Sequence, residues 1–189
     1  MVKGIGWLLD YLGCKNNWKL KKYNMKKIVW GILFALQYEI SSGQQTTCDH
    51  PKFHEFDFWI GDWTVYKQGT DSIVGYNSIT QVAGQCALQE NWVSVDRSSV
   101  GTSLNKFAWI LDRWQQFWVD NSGLTLLLEG QYQNNSMILQ NERTQQGVTT
   151  KNKITWFNNS DGTVRQLWES SQDGGKQWSV VFDGLYKKK

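Results

Sequence analysis

From about residue 62 to the C-terminus, apolar and polar residues alternate in short runs. A period of two sends successive side chains to opposite faces of a strand. The runs predict strands over 62–68, 73–83, 86–95, 103–111, 114–120, 124–132, 136–143, 149–157, 163–169 and 177–186. Turn chemistry separates them: Asn121-Ser122-Gly123, Asn134-Asn135, Gln146-Gly147, Asn158 to Gly162, and Asp173-Gly174-Gly175. Only Phe53 to Trp59 reads as a short helical or 3₁₀ lead-in. Short strands at regular spacing indicate an all-β sandwich or barrel. About ten antiparallel strands fit one closed barrel, which leaves no sheet edge to aggregate.

The alternation also sorts each strand into two faces. Cys86, Leu88, Glu90 and Trp92 share one face of the third strand, and Trp114, Gln116, Trp118 and Asp120 share one of the fifth. Leu124, Leu126, Leu128 and Tyr132 oppose Thr125, Glu129 and Gln131. On the ninth strand Val164, Gln166 and Trp168 oppose Arg165 and Glu169, and on the last Trp178, Val180, Phe182 and Tyr186 align. Faces that mix Trp with Gln, Glu or Asp suit a lined cavity better than a dry core, because ligand sites combine large apolar walls with a few polar groups.

The N-terminal region breaks this pattern. From Met25 a basic start (Lys26, Lys27) precedes nine apolar or small residues, Ile28 to Leu36, and a small-residue end at Ser41-Ser42-Gly43. These are the parts of a secretory signal peptide, and the run is too short for a membrane span of about twenty residues. The expected organisation is therefore an upstream leader at 1–24 with Met25 as the true start, a signal peptide at 25–43, and one barrel domain at 44–189. Gln45 stands where a lipoprotein signal would place Leu, which argues against a lipid anchor at Cys48.

Setting the leader aside changes the composition. Residues 1–43 hold seven Lys against Asp10 and Glu39, so residues 44–189 hold 13 basic and 15 acidic residues, a net charge of −2. That balance carries no footprint for nucleic acid. Trp7, Trp18 and Trp30 leave with the leader, and nine of the 12 Trp remain. Cys14 leaves too, so Cys48 and Cys86 form an even pair, read as one disulfide in an exported chain.

Gly61-x-Trp63 heads the first strand within Phe56-Asp57-Phe58-Trp59-Ile60-Gly61-Asp62-Trp63. This resembles the G-x-W signature of lipocalins and related calycins. The wider pattern is similar to a bacterial family of uncharacterised exported proteins that begins F-D-F-W-x-G-x-W. It continues here with Gly84-x-Cys86, Glu90-x-Trp92, Trp114-x-Gln116-x-Trp118-Val119-Asp120, Gln166-x-Trp168 and Phe182-Asp183-Gly184-x-Tyr186. Gln85 departs from that family's pattern, in which Cys directly follows Gly. The resemblance covers about 48–187 and implies a lipocalin-like (calycin) barrel in which Trp63 closes the floor; with the alternation, the expected fold is an about ten-stranded antiparallel barrel of that kind. It implies no particular activity. Ser171 to Trp178 also fits the Asp-box, S-x-D-x-G-x-x-W, of sialidases. One copy cannot build a propeller, so Asp173 and Trp178 are expected to be structural, as are Gly61 and Trp63.

Candidate chemistry is sparse. His50 and His54 flank Pro51, with Cys48, Asp49, Glu55 and Asp57 nearby; the intervening proline and an oxidised Cys48 make a surface lead-in the better reading, and no metal is assigned. Both His precede the barrel. The haem-binding calycins use a His within it, so neither a His-ligated haem nor a Ser-His-Asp triad is expected, and no cofactor is assigned. Glu90, Asp120 and Glu129 are the acid/base candidates, with pairing to Arg143, Arg165 or backbone amides as the structural alternative. Asp112, Asp161 and Asp183 read as turn formers.

The expected function is an exported barrel that binds a small hydrophobic or amphipathic ligand. Its interior would be lined by Glu90, Trp92, Gln116, Trp118, Asp120, Arg143, Trp156, Gln166 and Trp168. The alternatives are a barrel hydrolase or isomerase using Glu90 and Asp120, and an envelope interaction protein with a filled core. No membrane span is expected in the mature form.

Overall fold

The computed structural model describes residues 47–189. The upstream leader and signal peptide expected at 1–43 lie outside the described residues. The all-β, lipocalin-like barrel is present. Its ten antiparallel strands are β1 (Gly61–Lys67), β2 (Ile73–Val82), β3 (Ala87–Ser94), β4 (Val100–Ala108), β5 (Arg113–Asp120), β6 (Thr125–Gln133), β7 (Ser136–Gln145), β8 (Val148–Asn158), β9 (Val164–Ser171) and β10 (Ser179–Lys188). Each pairs with the next in sequence, and β1 closes the ring on β10, with Trp63 opposite Lys188 and Val65 opposite Tyr186. Among the described residues no helix is long and apolar enough to cross a membrane.

One end of the barrel is sealed by the lead-in. Three 3₁₀ turns, Thr47–Asp49, Pro51–His54 and Asp57–Trp59, carry Phe53, Phe56 and Trp59 into the interior, where all three are buried. The Phe56 ring stacks on Trp59 at 4.9 Å and meets Trp156 at 5.2 Å and Trp114 at 5.7 Å. Gly61 (φ +137°) swings the chain into β1. Trp63, fully buried, donates its indole N–H to the Trp59 carbonyl at 2.8 Å. The Cys48–Cys86 disulfide ties the start of the lead-in to the β2–β3 connection.

Three departures from simple alternation matter for the site. The run Trp109-Ile110-Leu111, which has the composition of a strand, forms a 3₁₀ turn with Ile110 95% exposed, and Asp112 ends it at φ +46°. β4 therefore occupies Val100–Ala108 rather than 103–111. In β10 the register slips between Val180 and Phe182, so Val180 and Val181 are both exposed and the inward face resumes at Phe182. A bulge adds one residue and resets parity, which removes Val180 from the face expected to hold Phe182 and Tyr186.

The third departure is a split in the wall. β6 and β7 pair only from Glu129 opposite Gln140 to Gln133 opposite Ser136. Beyond Gln140, β7 continues with β8 alone, and β8 pairs with β9 only from Lys151 onward. The tip of the β7–β8 hairpin is thus a two-stranded arm that outruns both neighbours. Gly130 sits at the vertex, where a Cβ would stand 1.9 Å from the Ile138 carbonyl oxygen.

Candidate functional site

At the end opposite the aromatic seal, the barrel interior holds a cavity of about 230 Å³. A single water needs roughly 10–15 Å³, so this space suits a small molecule. Its floor is polar and its walls are aromatic. β3, β5 and β9 supply Glu90 and Trp92, Gln116 with Trp118 and Asp120, and Gln166 with Trp168, as their parity implies. β10 adds Phe182 and Tyr186.

Glu90 is the centre of the floor. It is buried, and its two carboxylate oxygens each accept one hydrogen bond, from Asn77 Nδ2 at 2.7 Å and Ser103 Oγ at 2.7 Å. Asn77 comes from β2 and Ser103 from β4, the two strands flanking β3. The network extends on both sides. Asn105 Nδ2 donates to Ser103 Oγ (2.8 Å) and Gln116 Nε2 donates to Asn105 Oδ1 (2.8 Å). On the other side the Tyr186 hydroxyl donates to Gln166 Oε1, and Asn77 Nδ2 lies 3.4 Å from that hydroxyl. All of these residues except Gln166 are buried. Burial pushes the Glu90 carboxyl up to about 7, against the opposing hydrogen bonds from Ser103 and Asn77. Burial, and then the neighbouring Glu90 charge, hold the Tyr186 phenol well above its ordinary range.

The walls are built from tryptophans laid on glycines. A Cβ on Gly101 of β4 would lie 2.2 Å from the Trp118 ring, and one on Gly75 of β2 would lie 2.4 Å from Trp92. Each indole thus lies across the bare backbone of an adjacent strand, where any larger residue would displace it. Trp92 also meets Phe182 edge-to-face at 5.8 Å. Trp118 Nε1 donates to Asp120 Oδ2 (3.3 Å), and Trp168 Nε1 donates to Asn152 Oδ1 (3.0 Å). Partial burial raises Asp120, but hydrogen bonds from Ser122, Trp118 and Leu124 outweigh it and hold its carboxyl below the usual range.

Seven of the nine residues expected to line the interior therefore meet in one cavity. Arg143 does not. Its parity on β7 is inward, but it lies on the arm beyond the wall, opposite Thr150, and is exposed. Trp156 is inward and fully buried, but it belongs to the aromatic seal, 5.3 Å from Trp59. Glu129 faces the outside, where Gln115 and Arg113 bind its carboxylate at 2.6 and 3.0 Å and hold it below the usual range. Asp183 is no turn former: it takes a two-pronged contact from Arg165, 2.8 Å on each prong. Asp161 does bind its turn, through Thr163.

The structural motifs have clear geometry. In the hairpin Ser171 to Trp178, Asp173 Oδ1 accepts from the amides of Lys176 (2.9 Å) and Gln177 (3.0 Å), and Trp178 Nε1 donates to the Gly175 carbonyl at 3.0 Å. In the lead-in, His54 Nδ1 pairs with Asp57 at 2.7 Å, while Glu55 accepts from Trp114 Nε1 and pairs with Lys52.

Asn77, Ser103 and Asn105 are site residues that the alternation pattern does not single out; it does align Tyr186 with Phe182, but marks neither as lining. The available signal was cross-strand: polar residues on β2 and β4 fall opposite the Glu90 face only once the register is known. No family model and no curated protein matches the chain.

Proposed function

We propose that this protein is an exported, lipocalin-like barrel that binds one small amphipathic molecule in its open end. The observation that supports this reading most is the cavity of about 230 Å³, walled by Trp92, Trp118 and Trp168 over a hydrogen-bonded polar floor. Walls pre-ordered on glycines lose little freedom when a ligand docks, which favours affinity. The disulfide fits an oxidising compartment, and the signal-like run from Met25 supports export. The resemblance to the exported F-D-F-W-x-G-x-W family belongs to the same proposal.

Two measurements test it. Native mass spectrometry of protein isolated from its own cell envelope should find a mature chain starting near Gln44 and carrying a small molecule. The neutral dye N-phenyl-1-naphthylamine should bind the purified barrel, and Trp118→Ala and Gln116→Leu should weaken it while unfolding stays cooperative. Unchanged dye affinity in both variants would reject the site.

One observation favours a second reading. A carboxyl poised near 7 in a cavity has the property a general acid or base needs, so a hydrolase or isomerase using Glu90, with Asp120 at the rim, is the alternative. Under it, Glu90→Gln abolishes turnover without releasing bound substrate. The filled-core interaction protein is the reading that a cavity of this size supports least.

A further inference from the structure

The charges around the cavity are of one sign. Glu90 at the floor and Asp120 at the rim line it, and among the described residues no Lys, Arg or His does. Glu90 has neutral donors as its partners, Asn77 and Ser103, and no ion pair among the described residues. An ionised carboxylate buried without a counter-charge is costly. Next to it, Asn77 Oδ1 is buried with no hydrogen-bond partner among the described residues. Asn77 itself lies behind the lining, so the acceptor the cavity presents here is Glu90. Once ionised, above about pH 7, Glu90 gives the floor an unmatched negative charge. The walls are the faces and edges of Trp92, Trp118, Trp168 and Phe182, with Tyr186 beside Glu90. Aromatic rings attract cations most strongly when both are shielded from water.

We infer that the ligand is a primary ammonium carried on a short apolar or aromatic tail, with the ammonium at Glu90 and the tail between the tryptophans. This rests on the lumenal-binding reading and narrows it to one ligand class. A primary ammonium brings three donors and one positive charge. Those match the Glu90 carboxylate, which lines the cavity. An anionic ligand would meet two carboxylates and no cation. A neutral ligand would leave the buried charge uncompensated. The charge of Glu90, rather than the apolar walls alone, therefore sets the preference.

The test is a matched series read by tryptophan fluorescence at pH 8: 2-phenylethylammonium, 2-phenylethanol and phenylacetate, with N-phenyl-1-naphthylamine as a neutral control. The ammonium should bind at least about tenfold more tightly than the alcohol, and phenylacetate more weakly still. In Glu90→Gln the ammonium-to-alcohol ratio should collapse toward one. A second measurement needs no variant. The titratable groups at the cavity are Glu90, Asp120 and Tyr186, and only Glu90 changes charge near neutrality. The amine stays protonated there, as Lys does. Ammonium affinity should therefore rise by about tenfold from pH 6 to 8. Calorimetry in two buffers of different ionisation enthalpy should show proton release on binding at pH 6. Equal or tighter binding of the alcohol, or dye binding without ammonium binding, overturns the cation assignment and leaves the lumenal site standing. If neither the dye nor any member of the series binds, the lumenal site itself fails and the cation assignment falls with it.

Discussion

The two ends of the barrel use the same residue for different purposes. At the sealed end Trp59, Trp63 and Trp156 are fully buried; Trp59 and Trp156 pack ring against ring with Phe56, and Trp63 meets Tyr186 edge-to-face at 6.2 Å. At the open end Trp92, Trp118 and Trp168 are half-buried, two of them laid on glycines and two bonded to polar side chains. The sealed end even tolerates orphan polar atoms: the indole nitrogens of Trp59 and Trp156 have no partner among the described residues. Such a cost is borne where packing gain is large. The open end bonds the indoles of Trp118 and Trp168 to polar side chains and keeps its floor polar, with one orphan of its own among the described residues, at Asn77 Oδ1. The difference teaches that Trp content alone does not mark a binding site. What sets the proposed site apart is a Trp held in place by backbone or polar partners beside unfilled space.

The comparison can be broken most readily at the sealed end. Trp63→Ala should cost about 3–5 kcal/mol, read as a lowered denaturant midpoint, because a fully buried indole and its bond to the Trp59 carbonyl go together. A loss below about 1 kcal/mol would mean that the seal does not depend on the G-x-W tryptophan. Reducing the Cys48–Cys86 bridge, which spans 38 residues, should cost about 2–4 kcal/mol. It should also raise hydrogen exchange in the lead-in before the open end is affected.

The floor sets a pH dependence that the seal lacks. Burial moves Glu90 from its ordinary 4.5 up to about 7, so between these values the folded state holds a proton that the unfolded chain has released. The stability linked to this group is complete below about pH 4.5, is lost as the pH rises to about 7, and is flat above. The loss is about 3 kcal/mol. Glu90→Gln should flatten that slope in denaturation measured from pH 4.5 to 8, and an unchanged slope would show that Glu90 is not the group responsible.

Smaller effects sharpen the contrast at the open end. Gly101→Ala should cost about 1–3 kcal/mol through overpacking and shift the tryptophan emission, since the new methyl would strike the Trp118 ring. Trp118→Ala should cost only about 1–2 kcal/mol, below the full-burial range, while weakening dye binding. If it matched Trp63→Ala in stability, the open end would be packing core and the distinction between the ends would fail.

The sequence by itself determined the strand count, the separating turns and the inward faces of β3, β5 and β9. Strand parity is a local property of the backbone and needs no partner. It also placed the cysteine pair, because two thiols in one domain leave a single pairing. It could not settle whether a strand stays inside the wall. Arg143 has inward parity, yet β7 leaves β6 after Gln140 and takes Arg143 into solvent. Nor could it separate Trp156 from Trp168, which share inward parity on neighbouring strands: Trp156 is level with Gln166 and packs into the seal, while Trp168, one inward position further along and level with Ile154, lines the cavity. Trp109 to Leu111 read as strand because composition does not record that the chain turns there, and the slip at Val180 was hidden because a bulge changes register without leaving a compositional mark. The partners of Glu90 come from strands on either side of it, and the glycines beneath Trp92 and Trp118 come from neighbours as well. Register, wall length and depth along the barrel are relations between strands, so only the closed tertiary structure decided them.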